Sequence, residues 1–298
     1  MTGAQPPICD YEGSDYDATF WGKGERIYED QAEAIALQRL LPEGGNLLLE
    51  LGAGAGRNTL RYTGFKQIVL LDYSLTQLQQ AMQRLGRNQR FIYVAADIYR
   101  LPFVEGLFDA ATMIRTLHHM AEPLTALSQV RSVLQPGAIF ILEFANKQNL
   151  KAILRYLAKR QTWSPFSEES VEFERLNFDF HPRMVRSWLN DARFLVQRQL
   201  AVSYFRLGLI KRNVPLDLLG KLERVLQPTG SWCQLSPSVF IRSQAMGESP
   251  KAEAETFFKC PECGAYNLTP QGPRIICPEC SQAWPIRDGI FDFRLHAS

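Results

Sequence analysis

The stretch Leu47-Leu48-Leu49-Glu50-Leu51-Gly52-Ala53-Gly54-Ala55-Gly56, followed by Arg57, decides the fold of this chain. An apolar run with the composition of a buried strand leads straight into glycines. Gly52, Gly54 and Gly56 permit a tight turn and close approach of the backbone to a ligand. The spacing is G-x-G-x-G, and Arg57 stands where the nicotinamide dinucleotide pattern has a further glycine. Glu50 lies two residues before the first glycine. Beside a pyrophosphate that carboxylate would be unfavourable; beside a ligand carrying a free amino group it makes sense.

Working outward, further apolar runs read as buried parallel strands: Ile68–Leu71, Phe91–Ala95, Ala110–Ile114 and Ile139–Phe144. Helical patterns lie between them, notably Leu75–Leu85 and Ala121–Leu134, with a stop at Gln135-Pro136-Gly137. Such alternation implies an α/β fold with a mostly parallel sheet covered on both faces. Val196–Phe205 and Ser238–Arg242 read as two closing strands, which makes a seven-stranded sheet. Asp72 follows the second strand and Asp97 the third. Asp72 suits a bidentate grip on ribose hydroxyls, a feature shared by nicotinamide and other adenosine cofactors. Asp97 suits an adenine amino group, with the Ile98 N–H beside the ring. Ligands bind at the carboxyl ends of such strands.

The set Glu50–Gly56, Asp72-Tyr73-Ser74, Ala96-Asp97-Ile98, Phe108-Asp109-Ala110 and Leu134-Gln135-Pro136-Gly137 resembles the successive motifs of class I S-adenosylmethionine (SAM)-dependent methyltransferases, a Rossmann-like fold. The likeness is nearest to the type 11 group, which includes ubiquinone- and menaquinone-pathway enzymes. It covers roughly residues 10–243, most strongly 45–145. The resemblance implies that Gly52, Ala53, Gly54 and Gly56 hold the methionine part and that Glu50 approaches its amino group. Asp72 and Tyr73 would serve the ribose side, and Asp97 with Ile98 the adenine. Arg115-Thr116-Leu117-His118-His119, after the fourth strand, would face the sulfonium and the acceptor, and the aromatic lead-in (Tyr11, Tyr16, Phe20, Trp21) would close over the cofactor. His118 and His119 are candidate bases; a histidine pair capping the strand and bonding backbone is the structural alternative. Arg115 suits an anionic acceptor or a structural ion pair. His181, before Pro182, reads as a helix start.

Cys260-Pro-Glu-Cys263 and Cys277-Pro-Glu-Cys280 are paired C-x-x-C knuckles. Four thiolates match structural zinc, whose binding supplies folding energy that a segment this short lacks. With Trp284-Pro285-Ile286-Arg287-Asp288-Gly289-Ile290, the segment resembles the small zinc-ribbon activator subunit of tRNA, rRNA and release-factor methyltransferases. The ribbon's charges balance, which disfavours a stand-alone nucleic-acid clamp.

The expected organisation is an N-terminal cap (1–45), a methyltransferase domain (46–245) with a substrate-covering insertion at about 146–180, a linker (246–256) and the ribbon (257–298). Within the insertion, Leu150, Ile153, Leu154 and Leu157 recur at helical spacing among Lys147, Lys151, Arg155, Lys159 and Arg160. That basic amphipathic helix reads as a lid packed on the core, or as a surface for a membrane or an anionic substrate. A net charge of +2 drives no association with nucleic acid. No apolar run reaches membrane-helix length and no secretory signal is visible, so a cytoplasmic protein is expected. The reading is SAM-dependent methyl transfer to a small or lipid-like acceptor. Its rivals are an RNA or translation-factor methyltransferase and a SAM-binding scaffold without turnover.

Overall fold

The apolar runs are strands of one sheet in the computed structural model, which describes residues 6–14, 26–248, 252–253 and 256–295. β1 (Gly45–Leu51) pairs in parallel with β2 (Phe65–Asp72) on one side and β4 (Phe108–Met113) on the other. β3 (Phe91–Ala95) extends the sheet beyond β2, and β5 (Leu134–Ala145) beyond β4, again in parallel. Successive β1 residues serve opposite faces. Leu48 packs with Ile68, Leu70 and Ala36, Leu37 and Leu40 of helix α1 (Ile27–Leu40), and with Leu78 of α2 (Leu75–Leu85). Leu47, Leu49 and Leu51 pack with Val69, Leu71 and the Ala126, Leu127 and Val130 stripe of α3 (Pro123–Val133). Burial on both faces is why these strands read as continuous apolar runs rather than as an alternation.

The insertion follows β5. It holds α4 (Leu150–Leu157), capped by the Asn149 side chain, and the hairpin β6 (Val171–Glu174)–β7 (Asn177–Asp179). Lys147 fastens it: its buried Nζ donates to the Ser167 carbonyl (2.9 Å), the Ser167 hydroxyl (2.7 Å) and the Glu169 carbonyl. His181 caps α5 (Pro182–Asp191), its Nδ1 accepting the Arg183 N–H at 3.3 Å. β8 (Phe194–Val202) stops three residues earlier than the sequence pattern suggests, because Ser203 turns into left-handed backbone (φ 68°) and gives its N–H to buried Glu223. Helices α6 (Gly208–Asn213) and α7 (Leu216–Leu226) lead to β9 (Ser238–Ala245), antiparallel between β5 and β8.

The seven-stranded expectation needs correction. The sheet has 11 strands, in the order β10-β11-β12-β13-β3-β2-β1-β4-β5-β9-β8. The four additional strands are β10 (Thr269–Gln271), β11 (Arg274–Ile276), β12 (Ala283–Arg287) and β13 (Ile290–Asp292) of the cysteine-bearing segment. β13 pairs in parallel with β3, Ile290 opposite Tyr93 and Asp292 opposite Ala95, and the Phe293 N–H reaches the Ala95 carbonyl at 2.8 Å. An uncovered β3 would present a row of unsatisfied backbone groups, and this pairing removes that edge. Phe257 and Phe258 run along Pro102–Val104, and Phe103 packs its ring against both. Trp284, 2% exposed, and Phe293, 1% exposed, therefore share a core with the β3 side of the sheet.

Candidate functional site

A crevice opens at the carboxyl ends of β1–β4, where the strand order reverses between β1 and β4. Gly52 and Gly54 form its floor with Ala53. Gly52 sits at φ 65°, and a Cβ there would lie 2.1 Å from the Thr116 hydroxyl, so only glycine fits. Gly56 does not line the crevice. A Cβ on it would meet Leu85 of α2 at 2.9 Å, so it serves close loop–helix packing.

Three carboxylates ring this floor. Glu50 is 5% exposed and accepts the Thr59 hydroxyl at 2.6 Å. Burial pushes its carboxyl up to about 7, with the Thr59 hydrogen bond opposing. Asp72 accepts the Gly54 N–H (2.8 Å) and the Ser74 N–H (3.0 Å), tying the glycine loop to the start of α2; burial raises its pKa. Asp97, 3% exposed, accepts the Tyr99 N–H at 2.9 Å and caps the turn Ile98–Arg100. Tyr73 and Ile98 line the same crevice. It is therefore a concave surface with acidic groups at three strand ends, suited to a ligand rich in donors and carrying positive charge.

The segment after β4 closes the far side. Arg115 takes left-handed backbone, φ 56°. Its N–H donates to the Glu143 carboxylate at 2.9 Å, and its Nε pairs with Glu33 of α1 at 2.5 Å. Glu33, 1% exposed, also pairs with Arg57, which follows the glycine loop. Burial alone would raise the Glu33 carboxyl, but the guanidinium groups of Arg115 and Arg57 hold it at about 2. His119 lines the crevice: its Nδ1 lies 2.9 Å from the Leu176 carbonyl and its Nε2 3.1 Å from the Tyr11 hydroxyl. A carbonyl only accepts, so Nδ1 carries the proton and Nε2 accepts from Tyr11. His118 lies behind that surface. Its Nδ1 is buried without a hydrogen-bond partner, and burial, then His119 and Arg115, drive its pKa well below the usual value, so it is neutral. Of the aromatic lead-in, Tyr11 is in the crevice wall; Tyr16, Phe20 and Trp21 lie outside the described residues.

Pattern reading misses several residues. Glu33 reads as an ordinary polar helix position; only packing shows that it serves two arginines. Arg294, just past β13, donates to the Tyr73 carbonyl (3.2 Å) and to Glu12 (3.2 Å), and its guanidinium lies over the Tyr73 ring at 5.6 Å. Glu12 in turn accepts the Leu75 and Thr76 N–H groups at the start of α2. The C-terminal segment thus reaches the crevice loop at Tyr73, which no local motif announces.

The sulfurs of Cys260, Cys263, Cys277 and Cys280 lie within 4.8 Å of one another. Cys260–Cys280 is 3.7 Å and Cys263–Cys277 is 3.4 Å. Tetrahedral zinc with Zn–S bonds of about 2.3 Å needs edges of ~3.8 Å, so the thiol set fits that ion.

Comparison with known proteins agrees with this geometry. Residues 49–142 match the family model described as a methyltransferase domain. The demethylmenaquinone methyltransferase of Clavibacter sepedonicus is 35% identical over 123 residues, 40% of this chain and 50% of that protein. The O-methyltransferase cnsE of Penicillium expansum is 33% identical over 109 residues, 35% of this chain and 40% of that protein. The chain thus spans half or less of the length of these relatives. A solved complex between a Haloferax volcanii methyltransferase activator and a methyltransferase contains a chain that superposes with TM-score 0.55 at 17% identity, over 78% of this chain and 96% of that one, a likeness of fold. The chain thus has a Rossmann-like sheet, and its residues 49–142 are similar to a methyltransferase domain. Among the described residues no helix is long and apolar enough to cross a membrane.

The Glu33 pairings yield a stability prediction. Glu33→Gln leaves two arginines short of their carboxylate and should cost about 3 kcal/mol near neutral pH, within the range for breaking a buried pair. Because the folded carboxyl titrates at about 2, below its ordinary value, its stabilisation is present above that ordinary value and is lost as pH falls toward 2. Denaturant unfolding of both proteins across pH should show the gap narrowing in acid; an unchanged gap contradicts the assignment.

Proposed function

We propose that this protein transfers a methyl group from SAM to a small or lipid-like acceptor. The observation that carries the reading is the ring of Glu50, Asp72 and Asp97 around a glycine floor, inside the stretch that matches a methyltransferase domain. The residues fit such a cofactor. Glu50 is a buried carboxylate with no cation at hydrogen-bonding distance among the described residues, matched to an ammonium group. Asp72 keeps acceptor capacity for ribose hydroxyls beyond its two backbone bonds. Asp97 and Ile98 would take the adenine edge, and Gly52, Ala53 and Gly54 would lie along the methionine part.

SAM supplies an activated methyl on a cationic sulfonium, so the protein's task is alignment and exclusion of water. Arg115, fixed by Glu33 and Glu143, would orient the acceptor's approach. His119, with Tyr11 on its Nε2, is the candidate to take or relay an acceptor proton. His118 would act through His119, as a neutral neighbour behind the crevice wall. The names of the relatives, a demethylmenaquinone methyltransferase and an O-methyltransferase, favour a small organic acceptor. Cys260, Cys263, Cys277 and Cys280 would hold one structural zinc. A second reading, methylation of RNA or a translation factor, draws on the fused ribbon. Its β13 covers β3, and a fold neighbour comes from a solved complex named for a methyltransferase activator and its partner.

For the cofactor, calorimetry should give SAM binding in the micromolar range and no NAD binding. Asp97→Ala should weaken SAM by about 1–3 kcal/mol, the scale of a lost buried hydrogen bond. An acid with a raised pKa favours its protonated form in the empty site, whereas an incoming ammonium favours the carboxylate. SAM binding should therefore release protons below about pH 7 and tighten as pH rises through that value. Glu50→Gln should abolish the proton release; tight NAD binding without SAM binding would falsify the reading.

For the metal, elemental analysis of freshly purified protein should find one zinc per chain. Cys263→Ser should disorder the ribbon and leave β1–β5 folded, read by amide exchange. Absence of zinc, or visible cluster absorbance, rejects the site.

For the acceptor, labelled methyl from SAM is followed into fractionated cell material. Label in the organic-soluble or small-molecule fraction supports the proposal. Label lost on nuclease or protease treatment transfers the case to the second reading, and absence of any turnover leaves a SAM-binding scaffold.

A further inference from the structure

A second cavity lies beyond the His118–His119 turn. It is bounded by α4, the loop carrying Arg160 and Trp163, Phe173 of β6, and Arg206–Leu207 after β8. Trp163 and Phe173 meet edge to face, ring centres 5.7 Å apart, and give it an aromatic wall. Lys147, already bonded to the Ser167 and Glu169 carbonyls, lies 6.0 Å from the Trp163 ring, so that wall is anchored. Leu154, 57% exposed, and Leu207, 54% exposed, form an apolar mouth. Among the described residues, four cations line the cavity (Lys151, Arg155, Arg160 and Arg206) against the single carboxylate Asp179.

Arg206 is the telling residue. Its Nε is buried without a hydrogen-bond partner, and among the described residues its guanidinium enters no ion pair. A buried donor left unmade is costly, more so on a charged group. The planar guanidinium fork matches a carboxylate or phosphate. Asp179 does not fill that role, standing beyond ion-pair distance; burial pushes its carboxyl up to about 6, with Arg206 opposing. Arg206 also feels the charge of Arg115, which lines the first crevice, and the β6–β7 hairpin that gives Phe173 and Asp179 to this cavity accepts a hydrogen bond from the crevice residue His119 at the Leu176 carbonyl, 2.9 Å.

We propose that this second cavity binds the acceptor and that the acceptor is an anionic amphiphile, its apolar body against Trp163 and Phe173 and its carboxylate or phosphate group on Arg206. The inference rests on the methyltransferase reading above and adds the charge and seat of the substrate. An apolar pocket with a few convergent charges has the form of a small-molecule site.

The test uses the full chain and simple probes: octyl phosphate, octanoate, octanol and octyltrimethylammonium, followed by calorimetry and by tryptophan fluorescence. The two anions should bind about tenfold more tightly than octanol, the scale of one charge-assisted hydrogen bond, and the cation should not bind. Arg206→Gln should bring the anions down to the octanol level. Should that variant fail to fold, Arg160→Gln at the exposed rim should still weaken both anions relative to octanol. Trp163→Phe should reduce the fluorescence response while calorimetric binding persists. Equal affinity for octanol and octyl phosphate, an anion preference unaltered by both arginine variants, or no binding of any probe overturns the proposal. Phosphatidylglycerol vesicles distinguish the source of the anion: competition assigns it to a lipid headgroup, indifference to a free molecule, and both uphold the site. SAM affinity is measured in the same preparations. Loss of SAM binding in the unaltered protein defeats the methyltransferase reading, whereas intact SAM binding with no anion preference defeats this inference alone.

Discussion

One buried carboxylate organises the crevice end of the sheet. Glu33 leaves α1 with almost no solvent contact and meets Arg57 after the glycine loop and Arg115 after β4. Each partner belongs to a different strand's exit, so a single charge sets the distance between β1's loop and β4's loop. An isolated carboxylate there would protonate; the two guanidinium groups keep it ionised far below its usual range. The strained left-handed backbone at Arg115 persists only because this pairing and the Glu143 bond to its N–H over-determine it.

A second constraint is the exposed edge of the parallel sheet. β3 ends a run of parallel strands and would leave its backbone groups open. The cysteine-bearing segment covers it through β13 and sends Arg294 onward to Tyr73 and Glu12. Edge coverage and the crevice loop at Tyr73 are thus mechanically linked. The conformation of Tyr73, next to Asp72, depends on a residue more than two hundred positions later. Under the proposed zinc assignment, metal loading would be felt at the cofactor crevice through this route.

Legibility in the sequence follows the range of the interactions involved. The parallel strands, the glycine floor, the acidic strand ends and the paired cysteines are local patterns, and each is visible as composition or spacing within a few residues. Asp97 reads correctly as a strand-end acid and also caps the turn after it, because both roles need the same short side chain. What pattern could not reach is pairing between distant segments. Nothing in Ile290-Phe291-Asp292 says that it will join β3, so the strand count came out four short. Nothing around Glu33 marks it as the partner of two arginines. Gly56 and His118 belong to the right motifs yet lie just outside the crevice, since neighbours in sequence point to different sides of a loop. Arg206 carries no motif at all; its interest comes from a buried donor with no acceptor, visible only in three dimensions.

The distribution of charge between the two cavities bears on the chemistry. The first crevice gathers Glu50, Asp72 and Asp97, while the second cavity gathers Lys151, Arg155, Arg160 and Arg206. Under the proposed reading, a cationic donor would sit on the acidic side and an anionic acceptor on the basic side, each disfavoured in the other's place. Arg115 lines the first crevice, and the neutral His118 lies behind it. Under the proposed reading, the cations on the basic side would favour a deprotonated nucleophile, which would lower the demand on any base. A histidine kept neutral by burial and by adjacent cations is a weak proton acceptor, and in this setting a weak one suffices.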